Sequence, residues 1–230
     1  MSRKKSYNWV PDFVYGGIDG SVTTFAVVAG VEGASLPVTI VLILGFANLF
    51  ADGFSMAAGK YLSDKANKEQ FDELKREEML KVKAGAEPEK QKVTDILSRY
   101  GFKDKCLTCA TGVLQKKPEA SVDLIMRNYF NMTQENVSPM KGALATFISF
   151  VLIGFIPLFA YTFKGFLPLD ADGIFVLTCA FTLLALFIVG AIKSRFTGKF
   201  WLWSGAGTMM IGGLAAAISY VVGYLLRGLA

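Results

Sequence analysis

The sequence predicts an all-α polytopic membrane protein, with five transmembrane helices and a cytosolic helical insert between the second and the third. The first observation is composition: 53% of the 230 residues are hydrophobic and 19% are charged, whereas a soluble domain is about 45–50% apolar and about 25% charged. The second is charge placement. Residues 61–139 hold 27 of the 43 Lys, Arg, Asp and Glu residues, and the other 151 residues hold only 16. This division excludes a single soluble core and a disordered chain.

Five apolar stretches are each long enough for the roughly 20 residues that a helix needs to cross a bilayer. We therefore expect residues 1–60 to contain two transmembrane helices, residues 61–139 to form the insert, and residues 140–230 to contain three more helices. The predicted spans are approximately Asp12–Val31, Pro37–Lys60, Lys141–Phe163, Gly173–Ile192 and Phe200–Leu226.

The positive charges predict the orientation. Basic residues lie before the first span (Arg3 to Lys5), in the insert, and between the fourth and fifth spans (Lys193 to Lys199). All of these fall on one side, as cytoplasmic loops require, if the N-terminus and the insert are cytosolic and the C-terminus lies outside. No targeting extension is evident. This favours the cytoplasmic membrane of a prokaryote, with a vacuolar-type endomembrane as the alternative.

The insert is predicted to be helical. Residues 64–83 contain no Gly or Pro and are rich in good helix formers, so they should continue the second span as one rod. Gly85 and Pro88 interrupt the pattern. Three further helices are expected at Glu89–Tyr100, Asp104–Gln115 and Glu119–Phe130.

Several function classes are disfavoured. The net charge of +5 does not indicate nucleic-acid binding, because the basic residues interleave with acids or flank apolar segments. The chain contains no histidine, so the Cys106-x-x-Cys109 pair has no partner for a Cys/His zinc site. No glycine-rich nucleotide loop is present, and no covalent chemistry is indicated. We expect neither an enzyme nor a permanently bound cofactor.

Two acidic residues lie inside predicted spans. Asp19 and Asp52 are each about 10 Å from the cytosolic boundary, counting 1.5 Å per helical residue. A carboxylate deep in a bilayer costs about 2.5–3.5 kcal/mol on insertion scales, so it normally faces protein or a water-filled path. Asn48, Asp52 and Met56 follow one another at intervals of four residues and share a helix face.

The first span carries a matching polar stripe, and its glycines allow close approach of another helix. The stripe comprises Asp12, Tyr15, Asp19 and Thr23, and the glycines are Gly16, Gly17, Gly20 and Gly30. Carboxylates with an amide oxygen and a thioether suit a divalent transition metal such as Fe²⁺ better than Mg²⁺ or Ca²⁺. Alternatively, Asp52 and Asn48 only form hydrogen bonds across the bundle, and Met56 only packs.

These residues lie in motifs that resemble the vacuolar iron transporter family. Residues 15–30 (YGGIDGSVTTFAVVAG) resemble its first-helix signature, and residues 45–63 (GFANLFADGFSMAAGKYLS) resemble its second. Further similarity lies at Ser138-Pro139 with residues 143–147, at Ile156-Pro157, and at residues 212–217.

The resemblance implies a homodimer in a lipid bilayer that exports Fe²⁺, and also Mn²⁺, from the cytosol in exchange for protons. By position, Asp19 and Met56 would line the metal path. Asn48 stands where iron-storing members can carry a glutamate, which leaves the ion preference open. Two alternatives remain: a membrane-anchored regulatory or scaffolding protein that has lost transport, and an exporter of another substrate.

The resemblance also implies that the insert collects metal through pairs of glutamates and a methionine. The candidate ligands here are Glu73, Glu77, Glu78, Glu89 and Met126. However, Lys81, Lys92 and Tyr129 stand where the second acid of each pair is usual. A cation beside a cation site raises the cost of binding metal. We therefore expect a helical domain whose metal site is weakened or absent.

Overall fold

A computed structural model describes residues 7–133 and 138–229, and within these ranges the protein consists of helices and connecting turns without a β-strand. The predicted all-α class is confirmed. The helices are α1 (Val10–Gly33), α2 (Val38–Lys83), α3 (Glu87–Arg99), α4 (Asp104–Gln115), α5 (Pro118–Asn128), α6 (Pro139–Gly154), α7 (Ile156–Thr162), α8 (Ala171–Thr197) and α9 (Trp201–Leu226), with short 3₁₀ helices at Lys164–Phe166 and Arg227–Leu229.

The chain forms two compact units. We call residues 7–62 with 138–229 the membrane unit and residues 63–133 the insert. The uninterrupted helix α2 contributes residues to both units, and the prediction that residues 64–83 continue the second span is confirmed.

Four helices of the described ranges are long and apolar enough to cross a membrane: α1, α2, α8 and α9. The third predicted span, Lys141–Phe163, is not one straight helix. It is divided into α6 and α7, which are bent by 43° at Phe155 and together make a fifth candidate span. Pro157 causes the break, because proline lacks the N–H that would continue the hydrogen-bond ladder and its ring clashes with the carbonyl of residue 153.

Glycine and proline delimit the helices of the insert. Gly85 and Gly101 follow the ends of α2 and α3 with φ of +69° and +93°, a region that side chains with a Cβ rarely adopt. Pro88 and Pro118 lie in the first turns of α3 and α5, where the missing N–H costs nothing. Two apolar clusters form the core of the insert: Val93, Ile96, Leu97 and Ile125 in one, and Phe71, Val122 and Met126 in the other.

Close approach through glycine fixes α1 in the membrane unit. A Cβ at Gly16 would lie 2.5 Å from the carbonyl oxygen of Thr146, and a Cβ at Gly20 would lie 2.5 Å from that of Phe150, both on α6. On α9, Ser219 lies 2.7 Å from the equivalent point of Gly30, and its hydroxyl donates to the carbonyl of Ala26 at 2.6 Å. The predicted role of these glycines in close helix packing is confirmed.

Replacing Gly20 with alanine should therefore destabilise the membrane unit. The new methyl group would meet the α6 backbone, which cannot rotate away, so we expect a loss of about 1–3 kcal/mol. Gly59→Ala is the matched control: within the described chain nothing lies within 4 Å of its Cβ position. Alanine there should be neutral or stabilising by up to about 1 kcal/mol. Thermal unfolding in detergent, followed by tryptophan fluorescence, measures both. Equal unfolding temperatures for the two variants would contradict close packing at Gly20.

Candidate functional site

Asp19 on α1 and Asp52 on α2 form the acidic centre of the membrane unit. Both side chains are half-buried, and the two carboxylates are close enough to interact electrostatically. The interaction is repulsive because both groups are acidic. The structure thus brings together the two intramembrane acids that the sequence singled out.

Asn48 and Met56 lie one turn to either side of Asp52 on α2. Asn48 is half-buried, and its amide nitrogen is enclosed without a hydrogen-bond partner among the described residues. Buried polar atoms are nearly always hydrogen-bonded, and among the described residues the hydroxyls of Ser21 and Thr24 on α1 are exceptions of the same kind. Met56 is half-buried and packs against the apolar cluster that contains Leu49 and Phe150. The Met56 thioether therefore has a packing role, whereas the amide nitrogen of Asn48 lacks a hydrogen-bond partner among the described residues.

The other members of the polar stripe on α1 have different surroundings. The carboxylate of Asp12 accepts a hydrogen bond from the Tyr7 hydroxyl and forms an ion pair with Lys60, 3.3 Å away. The Thr23 hydroxyl donates to the backbone carbonyl of Asp19 at 2.9 Å. Tyr15 is 64% exposed. Asp12 is thus neutralised by Lys60, whereas Asp19 interacts with another acid.

Glu32 lies just beyond the first predicted span, which ends at Val31. The structure includes it in the last turn of α1, 13 residues or roughly 20 Å along the helix from Asp19. Its Oε2 accepts a hydrogen bond of 3.1 Å from the hydroxyl of Tyr161, which is 2% exposed on α7. The apolar residues of the first span continue at helical spacing through Val28 and Val31, directly before Glu32. This pattern could have predicted that the helix includes Glu32.

Two of the four candidate glutamates in the insert are buried in ion pairs. Glu78 is 1% exposed, and its two oxygens lie 3.0 Å from the ammonium of Lys81 and 3.1 Å from that of Lys92. Glu89 is 5% exposed and lies 3.3 Å from the same Lys92 ammonium. The hydrogen bond to Glu78 raises the pKa of Lys81, so this lysine stays charged at physiological pH.

The remaining candidates in the insert do not converge on these glutamates. Glu73 pairs with Arg76 at 2.6 Å, and this hydrogen bond lowers the pKa of Glu73. Glu77 is exposed and lies 4.0 Å from Lys81. Met126 is 1% exposed and packs in the apolar cluster with Phe71. In residues 7–133 and 138–229, no three His, Cys, Asp or Glu side chains are grouped so that they could hold a metal ion.

Comparisons with known proteins agree along nearly the whole chain. The sequence profile of the VIT family matches residues 10–224. The chain is 33% identical over 228 residues to a protein of Toxoplasma gondii named vacuolar iron transporter, covering 96% of this chain and 76% of that protein. It is 34% identical over 214 residues to vacuolar iron transporter 1 of Arabidopsis thaliana, covering 92% and 83%. The vacuolar iron transporter of Centaurea cyanus is 33% identical, covering 96% of this chain and 91% of that protein.

The contrasting surroundings of the acids on α1 predict opposite effects on stability. Asp19→Asn should raise the unfolding temperature of the metal-free protein, because it removes one of two repelling charges. Asp12→Asn should lower it, because it removes a partly buried carboxylate that pairs with Lys60 and accepts a hydrogen bond from Tyr7. Thermal unfolding in detergent with chelator present measures both variants. A loss of stability in Asp19→Asn that equals the loss in Asp12→Asn would show that Asp19 is held by favourable contacts instead.

Proposed function

Because the chain belongs to the VIT family, we propose that it is a membrane transporter whose substrate is a divalent transition metal, with Fe²⁺ as the principal ion and Mn²⁺ as a second. The observation that carries the proposal is the meeting of Asp19 and Asp52 in two helices that are apolar enough to cross a membrane. Two half-buried acids that repel each other are a costly arrangement for structure alone. A dication between them would turn the repulsion into attraction.

The donor set supports a transition metal over a hard cation. The carboxylates of Asp19 and Asp52 supply anionic oxygens, and Asn48 supplies a neutral amide oxygen. The sulfur of Met56 suits the softer Fe²⁺ better than Mg²⁺ or Ca²⁺. In our proposal Met56 contacts the ion only in passing, since its side chain packs against the core. No covalent step is involved, so the protein acts as a carrier and not as an enzyme.

We propose that transport exchanges the metal for protons. A carboxylate that releases a cation can take up a proton, which keeps the charge of the site nearly constant through a transport cycle. Asp19 and Asp52 are the groups able to do this, because the described structure provides neither with a paired lysine or arginine. Glu32, with its Tyr161 hydrogen bond, supplies a second acidic group farther along α1. We propose that the path leads from Asp19 towards Glu32.

The proposed topology has five spans, with α6 and α7 together forming the third. The N-terminus and the insert face the cytosol and the C-terminus lies outside, as the basic residues between predicted spans indicate. The metal then moves out of the cytosol. We propose a homodimer in the cytoplasmic membrane of a prokaryote, with a vacuolar-type endomembrane as the alternative location.

Reconstitution into proteoliposomes tests transport directly. We expect uptake of ⁵⁵Fe²⁺ driven by a proton gradient, and a loss of at least about tenfold in Asp19→Asn and Asp52→Asn, since each removes a charge that binds the dication. Glu32→Gln should slow uptake less, because it leaves the acidic centre intact. Asp172→Asn is the control, since this exposed acid at the start of α8 should not affect uptake.

The same assay separates the alternatives. A regulatory or scaffolding protein would move no metal under any gradient, even in the wild type. An exporter of a small organic molecule need not respond to competing Mn²⁺ or to Asn48→Glu, whereas a metal path should respond to both. Uptake that persists unchanged in Asp19→Asn would refute the proposed site.

The native cysteines test the topology. Cys106 and Cys109 are exposed on the insert, and Cys179 is half-buried on α8. In a Cys179→Ser background, a membrane-impermeant maleimide should label the protein in inside-out vesicles and fail to label it in right-side-out vesicles. The reverse pattern would place the insert outside the cytosol and contradict the proposed direction of transport.

A further inference from the structure

Helix α4 of the insert has apolar side chains on two faces. Those of its inner face pack on the core of the insert and are Leu107, Ala110 and Leu114. On its outer face, Cys106, Cys109 and Val113 are exposed. They lie three and four residues apart, so they form one stripe along the helix. Val113 is 52% exposed, and Phe102, which lies two residues before the helix begins, is 41% exposed.

Lysines flank this outer stripe at both ends of α4. The exposed basic residues of segment 102–117 are Lys103, Lys105, Lys116 and Lys117. Asp104, the first residue of the helix, is the one acidic residue of that segment. The rest of the described insert, residues 63–101 and 118–133, carries 10 basic and 11 acidic residues. The excess positive charge of the insert is therefore concentrated on α4.

The outer faces of the neighbouring helices α3 and α5 have a different composition. Their exposed side chains include acids and bases on each helix, namely Glu87, Lys90 and Asp95 on α3, and Glu119, Asp123 and Arg127 on α5. Mixed charges of this kind are typical of a helix face in contact with water. An apolar stripe combined with lysines, as on α4, is typical of a helix that lies in the interface of an anionic membrane.

A lipid surface fits this face better than a soluble partner does. Anionic headgroups attract lysines near the membrane surface. Lysine stems can also lie along apolar groups while their ammonium groups reach the phosphates. The uninterrupted helix α2 connects the insert to the membrane unit. A tethered surface is present at a high effective concentration, whereas an acidic protein would have to reach α4 from solution.

We propose that α4 is an interfacial helix that docks the insert on the anionic leaflet of the membrane. The stripe of Cys106, Cys109 and Val113 contacts the acyl-chain boundary, and Lys105 and Lys116 contact lipid phosphates. Docking is reversible, and it weakens when the anionic lipid is diluted or when salt screens the lysines. This inference rests on the placement of the membrane unit in a bilayer and does not depend on metal transport.

The two cysteines of the stripe report on docking directly. Full-length Cys179→Ser protein is placed in nanodiscs of phosphatidylcholine, or of phosphatidylcholine with one-third phosphatidylglycerol, and the rate of maleimide labelling is measured. We expect labelling of Cys106 and Cys109 to be on the order of tenfold slower in the anionic nanodiscs. High salt should return the rate towards that in phosphatidylcholine. In the same background, Val113→Ser should reduce the effect of the anionic lipid, because it removes an apolar contact without changing the charge.

Charge reversal separates docking from a general effect of the anionic surface on thiol reactivity. Lys105→Glu combined with Lys116→Glu should make the labelling rates in the two lipids nearly equal. Lys68→Glu combined with Lys90→Glu is the matched control: both lysines are exposed on other helices, so this variant should keep the lipid dependence. The proposal is overturned if the parent protein is labelled at one rate in both lipids, which includes slow labelling caused by a covering protein. It is also overturned if the control pair removes the lipid dependence as fully as the α4 pair does.

Discussion

A carboxylate in the middle of an apolar helix has to be covered by other helices instead of lipid, and this constraint governs the membrane unit. Helix α1 carries Asp19 and is more enclosed than α2, α8 and α9, with more than half of its apolar segment buried. Glycines make the enclosure possible, because Gly16 and Gly20 bring the backbone of α6 into contact with α1. Gly30 does the same for α9 near the other end of the helix. The packing of α1 therefore decides which surface Asp19 can face.

The two units use acidic residues in opposite ways. In the membrane unit, Asp19 and Asp52 interact as two like charges, and no lysine or arginine of the described residues pairs with either, so their negative charge is not compensated. In the insert, the charges of Glu78 and Glu89 are compensated by Lys92, which belongs to the same chain. An exchangeable ion suits the first arrangement, because a carrier has to release what it binds. The second arrangement is fixed, because a side chain cannot leave.

Local chemistry made much of this structure predictable. Helix α4 has the predicted bounds, and α2 continues to Lys83 because residues 64–83 contain no helix-breaking residue. The pairing of Asp19 with Asp52 followed from equal depth in two neighbouring antiparallel spans. The bend at Phe155 was missed because a proline within an apolar stretch can either kink a helix or begin a new one. Only one of the two contacts of Lys92 could be predicted from the sequence. Glu89 precedes Lys92 by three residues on the same helix, whereas Glu78 precedes it by 14 residues and meets it only when the insert folds.

The buried glutamates of the insert are held by a lysine of the same chain, and this has a consequence for the lifetime of the insert. A domain held together by a dissociable metal opens when the metal is scarce, and proteases remove opened domains. The charge of Lys92 is supplied at synthesis and cannot be withdrawn by chelators or starvation. The folded insert should accordingly persist when metal is scarce, whatever the occupancy of the membrane unit.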